Sequence, residues 1–356
     1  MKPPLQVALV GYGLGGKVFH APLIAATPGL ILHTVVSGDA NKVHADLPDV
    51  HVVGDARTAF ADPAIDLVVI ASPNATHARL AIAALQAGRH VVVDKPFAID
   101  LAEAQAVATA ADASGRMLAV FHNRRWDADF LALRALLAAG DLGEVAEVHS
   151  HFDRFRPVVP DRWRERTGPG AGLWLDLGPH LVDQALQLFG MPDAVQADIA
   201  IQRAGAEVDD FFHVVLRYPR LRVVLHAGAL VPGAGLRFAV HGTRGSWFKH
   251  GLDPQEAALR AGGVPGADGW GVETAPGRRL AVAADGTLLD APSPNPAGDY
   301  RAFYAGVRDA IRDGASPPVT VDEALDVMRV LQAGIDSART GRVVALSASS
   351  RAETRA

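Results

Sequence analysis

Cysteine is absent from all 356 residues, so disulfides, thiolate chemistry and cysteine-ligated metals are excluded. An excess of charge of one sign is also missing. The formal net charge is −5 and no long basic stripe occurs, which argues against nucleic acid or an anionic membrane as a partner. Long apolar runs are lacking too. The first, Leu5 to Val10, leads straight into glycines and is too short for a signal core or a membrane span. No other uncharged stretch reaches spanning length, and the cytoplasm is the expected location. What is present is ordinary globular composition, 49% hydrophobic and 21% charged, in a chain long enough to expect two domains.

Up to residue 122, short apolar runs alternate with helical patterns. Gln6–Val10, Ile31–Val36, Leu67–Ile70, Val91–Val93 and Leu118–Phe121 read as buried strands, with a further short one at His51–Val53. Thr76–Ala87 reads as a helix ended by Gly88, and Asp100-Leu-Ala-Glu103 opens another with an acidic cap. Strands separated by helices predict an α/β fold, a doubly wound parallel sheet of Rossmann type over 1–122. After Phe121 the rhythm changes. Helices are expected at Asp127–Ala139 and about Leu173–Phe189, and strands at Glu144–Phe155, Phe211–Tyr218, Arg222–Ala229 and Leu236–His241. Strands in series predict a mostly antiparallel open sheet, so 123–356 is expected to be an α+β domain for substrate binding and oligomerisation. The Gly- and Pro-rich residues 251–298 read as a flap near the site or a surface insertion, with helices after them near Tyr300–Arg312 and Val321–Arg339. Helices can cover only one face of the second sheet. Val214, Leu216, Val223 and Leu225 are therefore expected on the other, joining a homodimer or a dimer of dimers.

Gly11-Tyr12-Gly13-Leu14-Gly15-Gly16 follows the first strand and opens a helix, the context in which G-x-G-x-x-G binds a dinucleotide rather than merely turning the chain. Gly11 permits the tight turn, Gly13 lets the backbone approach a pyrophosphate, and Gly16 lets the helix pack closely on the strand. The helix N-terminus supplies N–H groups to the anion. Asp94-Lys95-Pro96 lies just past the fifth strand, at the carboxyl edge where such sheets bind ligands. Lys95 there can hold a substrate hydroxyl and stabilise developing negative charge, unless it is simply a surface lysine. In Gly170-Ala-Gly172-Leu-Trp-Leu-Asp176-Leu-Gly-Pro-His180-Leu-Val-Asp183, helical spacing puts Asp176 and His180 on one face, with Asp183 a turn beyond. That is a general-base arrangement, or else a capped helix with a satisfied histidine.

Together these three segments resemble the glucose–fructose oxidoreductase/inositol dehydrogenase (Gfo/Idh/MocA) family, with Asp94 standing where that family usually has a longer Glu. Ser72-Pro-Asn74-Ala-Thr-His77, Phe121-His-Asn-Arg-Arg-Trp126, His151-Phe-Asp-Arg-Phe-Arg156 and Gly251-Leu-Asp-Pro-Gln-Glu256 resemble the branch containing NADP-linked scyllo-inositol dehydrogenases. The resemblance covers nearly the whole chain in motif order. It implies an NAD(P)-dependent oxidoreductase moving hydride between nicotinamide and a secondary alcohol or ketone carbon of a polyol, inositol or sugar, in a cleft between domains. By the resemblance, His180 exchanges the hydroxyl proton, Lys95 polarises the oxygen and Asp176 orients the site. The implied cofactor set is Gly11, Tyr12, Gly13, Leu14, Gly16, Ser37, Gly38, Lys42, Ser72, Asn74, His77, Lys95 and Asn123. The implied substrate contacts are Lys95, Asn123, His151, Asp153, Arg156, Trp163 and His180.

His149, His151 and Asp153 alternate and so project from one strand face, as three metal ligands would. Hydrogen bonds to substrate suit the resemblance better, and no metal is expected. Two rival functions are a non-catalytic dinucleotide sensor, which the presence of both Lys95 and His180 disfavours, and a glycosidase that uses bound NAD. For the cofactor, Ser37 stands 21 residues after Gly16, where an Asp or Glu would hold the ribose 2′-hydroxyl of NAD. Ser37 with Lys42 nearby points to NADP, while Asp39 is the residue that would favour NAD.

Overall fold

A computed structural model describes residues 2–161, 165–233, 235–283 and 285–346. The chain divides into two compact units. The first comprises Met1–Asp127, Pro254–Gly271 and Gly298–Met328, and the second Ala128–Asp253, Val272–Ala297 and Arg329–Ala356. Two later segments thus return to the first unit.

In the first unit β1 (Leu5–Val10), α1 (Ala21–Ala25), β2 (Leu30–Val36), α2 (Ala40–His44), β3 (His51–Val53) and α3 (Ala56–Ala61) lead to β4 (Leu67–Ile70). Then come α4 (His77–Gln86), β5 (His90–Val93), α5 (Leu101–Ser114) and β6 (Leu118–Val120). All pairings are parallel, in the order β3-β2-β1-β4-β5-β6. Val7, Leu9, every residue of β4 and Val91–Val93 are shut off from solvent. Burial on both faces is why these strands read as unbroken Val, Ile and Leu instead of alternating. Chain order reverses between β1 and β4, so the loops beyond their carboxyl ends part and leave a crevice. The expected acidic cap of α5 forms, with Glu103 N–H donating to Asp100 at 2.8 Å.

The second unit opens with α6 (Ala128–Ala138), β7 (Val145–His151) and α7 (Leu173–Phe189). Then follow β8 (Ala194–Ala200), β9 (Phe211–Arg217), β10 (Arg222–Gly228), β11 (Leu236–Gly242) and β12 (Gly245–His250). Residues 251–298 carry regular elements that their composition did not announce. They hold α8 (Gln255–Arg260), which belongs to the first unit, and the hairpin β13 (Gly277–Val282) and β14 (Leu288–Ser293), which extends the second sheet. α9 (Arg301–Asp313), α10 (Val321–Thr340) and β15 (Val344–Ala345) close the chain. The nine-stranded sheet runs β14-β13-β12-β11-β7-β10-β9-β8-β15 and is antiparallel except where β7 meets β10.

Alternation along these strands separates two faces. Phe212, Val214, Leu216, Val223, Leu225 and Val148 share one face, and Phe212 packs edge-on against Trp174 of α7, ring centroids 4.9 Å apart. This corrects the expectation for Val214, Leu216, Val223 and Leu225. They are buried on the face that α7 covers, and cannot form a patch on the other. The opposite face presents His213, Val215, Val224, His226, His149 and His151. Among the described residues, no helix is long and apolar enough to cross a membrane.

Candidate active site

The first unit contributes the turn after β1. Gly11 has φ +98°, and a Cβ there would lie 2.8 Å from the Ala71 carbonyl oxygen, so only glycine lets the turn rest on the loop after β4. A Cβ at Gly16 would collide with the Gly11 carbonyl oxygen. At Gly13 it would meet nothing, because the space before that backbone is open. A tight turn, a close helix and an open cradle are what a pyrophosphate needs, and these residues fit a dinucleotide. Leu14 is exposed at the tip of the turn, and Tyr12 is buried with its hydroxyl 3.3 Å from Asp46. Burial first, and the Asp46 charge second, push the Tyr12 phenol up to about 12.

At the end of β2, Ser37 Oγ accepts the Asp39 N–H at 3.2 Å. The Asp39 carboxylate caps α2, accepting the Lys42 N–H at 3.0 Å. Gly38 and Lys42 are exposed beside it. Beyond β4, Ser72 Oγ lies 2.6 Å from Thr76 Oγ1, and Asn74 is buried. His77 meets the Pro96 and Ser72 carbonyls, each at 2.9 Å, and burial lowers its pKa. It therefore sits between the loop after β4 and the loop after β5, and in its neutral form it donates to only one of the two carbonyls. Asn123 is buried at the start of the turn after β6.

Asp94 prepares Lys95. Its carboxylate accepts the Lys95 N–H at 2.8 Å and lies 3.6 Å from His20 Nε2, while His20 Nδ1 is 2.6 Å from the Tyr304 hydroxyl. Burial pushes the Asp94 carboxyl up, but the His20 bond and charge and the Lys95 ammonium outweigh it and bring it down to about 2. A carboxylate one residue from Lys95 is thus ionised throughout the working pH range.

The second unit contributes α7. Its first turn is capped by Asp209, whose carboxylate accepts the Trp174 N–H at 2.7 Å and whose backbone carbonyl accepts the Leu173 N–H at 2.9 Å. Gly172, at φ +97°, is required because a Cβ would run into that carboxylate. Asp176 and His180 follow one turn apart, with His180 and Asp183 buried. Arg154, beyond β7, brings a guanidinium nitrogen to 4.0 Å from Asp176. Buried Arg237 of β11 donates to Asp129 of α6 at 3.1 Å, Ser150 of β7 at 3.0 Å and Gln184 of α7 at 2.6 Å. It ties the helix that carries Asp176 and His180 to the sheet beneath.

Burial raises the Asp209 carboxyl to about 6. The native chain then holds this proton more tightly than the unfolded chain does. Stability falls as pH rises from the ordinary carboxyl value of 3.8 to about 6, and the loss persists above that pH. Asp209→Asn keeps an acceptor for the helix and removes the charge. Its stability relative to wild type should rise by about 2–3 kcal/mol as pH climbs through that window. Urea midpoints of the two proteins measured across the window provide the check, and parallel pH profiles would refute the linkage.

The structure groups Asp176 and His180 on one helix, but it does not bring His151 and Asp153 to them. His151 and Asp153 point to the sheet face opposite α7. There they meet His226 of β10, which sequence reasoning passed over although a histidine inside Leu221-Arg-Val-Val-Leu-His226 is a visible break in an apolar run. His149 turns instead to Glu147, at 2.6 Å. Arg156 is half-buried, its N–H donating to the Ala229 carbonyl at 2.7 Å, and Trp163 lies outside the described residues. Arg154 was given no role of its own from the sequence. Asp209 and Arg237 carried no motif at all.

A doubly wound sheet with a glycine cradle, joined in one chain to an α/β unit bearing an Asp–His helix, defines a nicotinamide-dependent dehydrogenase acting on CH–OH groups. Residues 5–122 match the oxidoreductase family's NAD-binding Rossmann fold, and residues 134–346 its C-terminal alpha/beta domain. The chain belongs to the Gfo/Idh/MocA oxidoreductase family. It is 50% identical over 343 residues to the uncharacterised oxidoreductase YdgJ of Escherichia coli, covering 95% of this chain and 98% of that one. It is 39% identical over 345 residues to the scyllo-inositol 2-dehydrogenase (NADP(+)) IolW of Bacillus subtilis, covering 96% of each. The solved structure of YPO2259 from Yersinia pestis superposes with a TM-score of 0.93 at 49% identity, covering 98% of this chain and 99% of that one.

Proposed function

We propose that this enzyme interconverts a secondary alcohol and a ketone on a polyol of the inositol or sugar class, with NADP as the preferred cofactor. The observation that carries the reading is the Asp176–His180 pair on α7 with Arg154 beside Asp176, in a chain that resembles an inositol dehydrogenase over nearly its full length. The Gly11–Gly16 turn holds the pyrophosphate, and Ser72, Asn74 and Asn123 line the path toward the nicotinamide. When bound, the nicotinamide supplies a carrier for the hydride. Lys95 donates a hydrogen bond to the reacting oxygen and stabilises its developing charge. His180 takes the hydroxyl proton in oxidation and returns it in reduction. Asp176, with Arg154 setting its position, orients the substrate hydroxyls.

NADP preference rests on the end of β2. Asp39 is engaged in capping α2, and Ser37 offers a hydroxyl with no charge to repel a 2′-phosphate. Lys42 stands exposed close by. A charge-assisted contact of about 1.5–3 kcal/mol corresponds to a roughly ten- to hundredfold preference. The test follows reduced-cofactor absorbance with scyllo-inositol, other inositols, aldoses and keto-sugars, in both cofactors. Turnover of a polyol with NADP favoured, and a loss of that preference in Ser37→Asp and Lys42→Ala, are the expected results. No turnover with any polyol or sugar would overturn the substrate class, and wild type preferring NAD would overturn the cofactor.

A further inference from the structure

On the sheet face opposite α7, two histidines and a carboxylate converge. β7 and β10 pair in parallel with His151 beside His226, and the chain leaving β7 turns Asp153 toward both. His151 Nδ1 is 3.4 Å from one Asp153 oxygen, and His226 Nε2 is 3.4 Å from the other. One ligand atom from each residue can be chosen so that all lie within 4.8 Å of one another. These separations are long for N–H···O bonds, which favour about 2.9–3.0 Å. Each matches the edge of a tetrahedron around an ion with metal–ligand bonds of about 2.0–2.1 Å, which is about 3.3–3.4 Å; the two involve different Asp153 oxygens, and the three ligand atoms together lie within 4.8 Å.

One further feature is consistent with a built site. Gly228 N–H donates to Asp153 at 2.9 Å and fixes the carboxylate, the kind of outer support that metal-bound carboxylates have. The far ring nitrogens, His151 Nε2 and His226 Nδ1, are buried and meet no hydrogen-bond partner among the described residues. A ligating histidine usually donates its far N–H to a partner, so the proposal rests on the near atoms and not on these nitrogens.

We propose that His151, Asp153 and His226 bind one divalent transition-metal ion of the zinc class, with solvent completing the coordination. Imidazole and carboxylate together select zinc, cobalt or nickel over magnesium or calcium. The ion ties the end of β7 to β10 and stabilises the second unit. It takes no part in hydride transfer, so the inference stands apart from the proposed function.

The test uses the full chain, freed of metal by chelator. Zn²⁺ is titrated calorimetrically, and Co²⁺ is followed by its visible ligand-field absorption. The expected result is saturable binding of one ion per chain, a tetrahedral cobalt spectrum, and a thermal midpoint that rises with Zn²⁺. His226→Gln and Asp153→Asn should each weaken binding by at least about tenfold and abolish the thermal shift. Exposed His44, replaced by Gln, is the control and should leave both unchanged. Circular dichroism and dinucleotide binding verify folding, and His151→Gln substitutes for either variant that fails them. Absence of saturable binding in wild type, or binding that survives loss of any of the three side chains, overturns the proposal.

Discussion

His180→Ala and Lys95→Ala will each lower kcat by about two to four orders of magnitude while leaving dinucleotide affinity nearly unchanged. The size follows from what each group does. Without His180 the alcohol proton must leave to solvent, and loss of general base catalysis typically costs about 10²–10⁴ in rate. Without Lys95 the oxygen develops charge with no fixed donor, and a missing oxyanion donor costs about 10²–10³. Neither side chain takes part in the pyrophosphate grip, which comes from backbone at Gly11, Gly13 and Gly16. Steady-state kinetics and fluorescence titration of reduced cofactor separate the two quantities. Full activity in either variant would remove the mechanism. A parallel collapse of cofactor affinity would mean the residue acts through the fold.

Arg237→Leu should destabilise the protein by about 3–5 kcal/mol, the cost of leaving a buried carboxylate without its partner. Arg237 and Asp129 are both closed to solvent, and Asp129 has no water to turn to. The same guanidinium also satisfies Ser150 and Gln184, so its loss leaves polar groups of two further elements short of a donor. A double change, Arg237→Leu with Asp129→Leu, should recover much of the loss, because it removes the orphaned charge. Denaturant unfolding monitored by circular dichroism gives both values. A single variant within about 0.5 kcal/mol of wild type would show that the network contributes little.

The six strands of the first sheet were legible, most plainly those buried on both faces. Leu67–Ile70 and Val91–Val93 appear as uninterrupted apolar runs whatever else the chain does. The second unit was legible only in its most apolar strands. β8, β12 and the β13–β14 hairpin were missed because edge and half-exposed strands carry polar and small residues, as the fully exposed Leu288–Pro292 shows. The Gly- and Pro-rich composition of residues 251–298 marked turns correctly but hid that two strands lie between them.

The site divided along the same line. Gly11, Gly16, Lys95, Asp176 and His180 were named from sequence because their chemistry is local. A turn needs glycine where backbones touch, and helical spacing alone puts Asp176 and His180 on one face. Asp209 capping α7, Arg154 beside Asp176, Arg237 under Gln184 and His226 beside His151 were invisible, since each pair is far apart along the chain and meets only when strands take their register. Register also decided which way His151 and Asp153 point. A side-chain alternation of two residues assigns them to one face of β7, but nothing in a single strand says which face α7 will cover. The sequence by itself determined the glycine turn, the helical spacing of Asp176 and His180 and the alternation. Pairing with β10, and the packing of Trp174 on Phe212, decided that Val214 and Leu216 lie beneath α7 and the histidines on the far side.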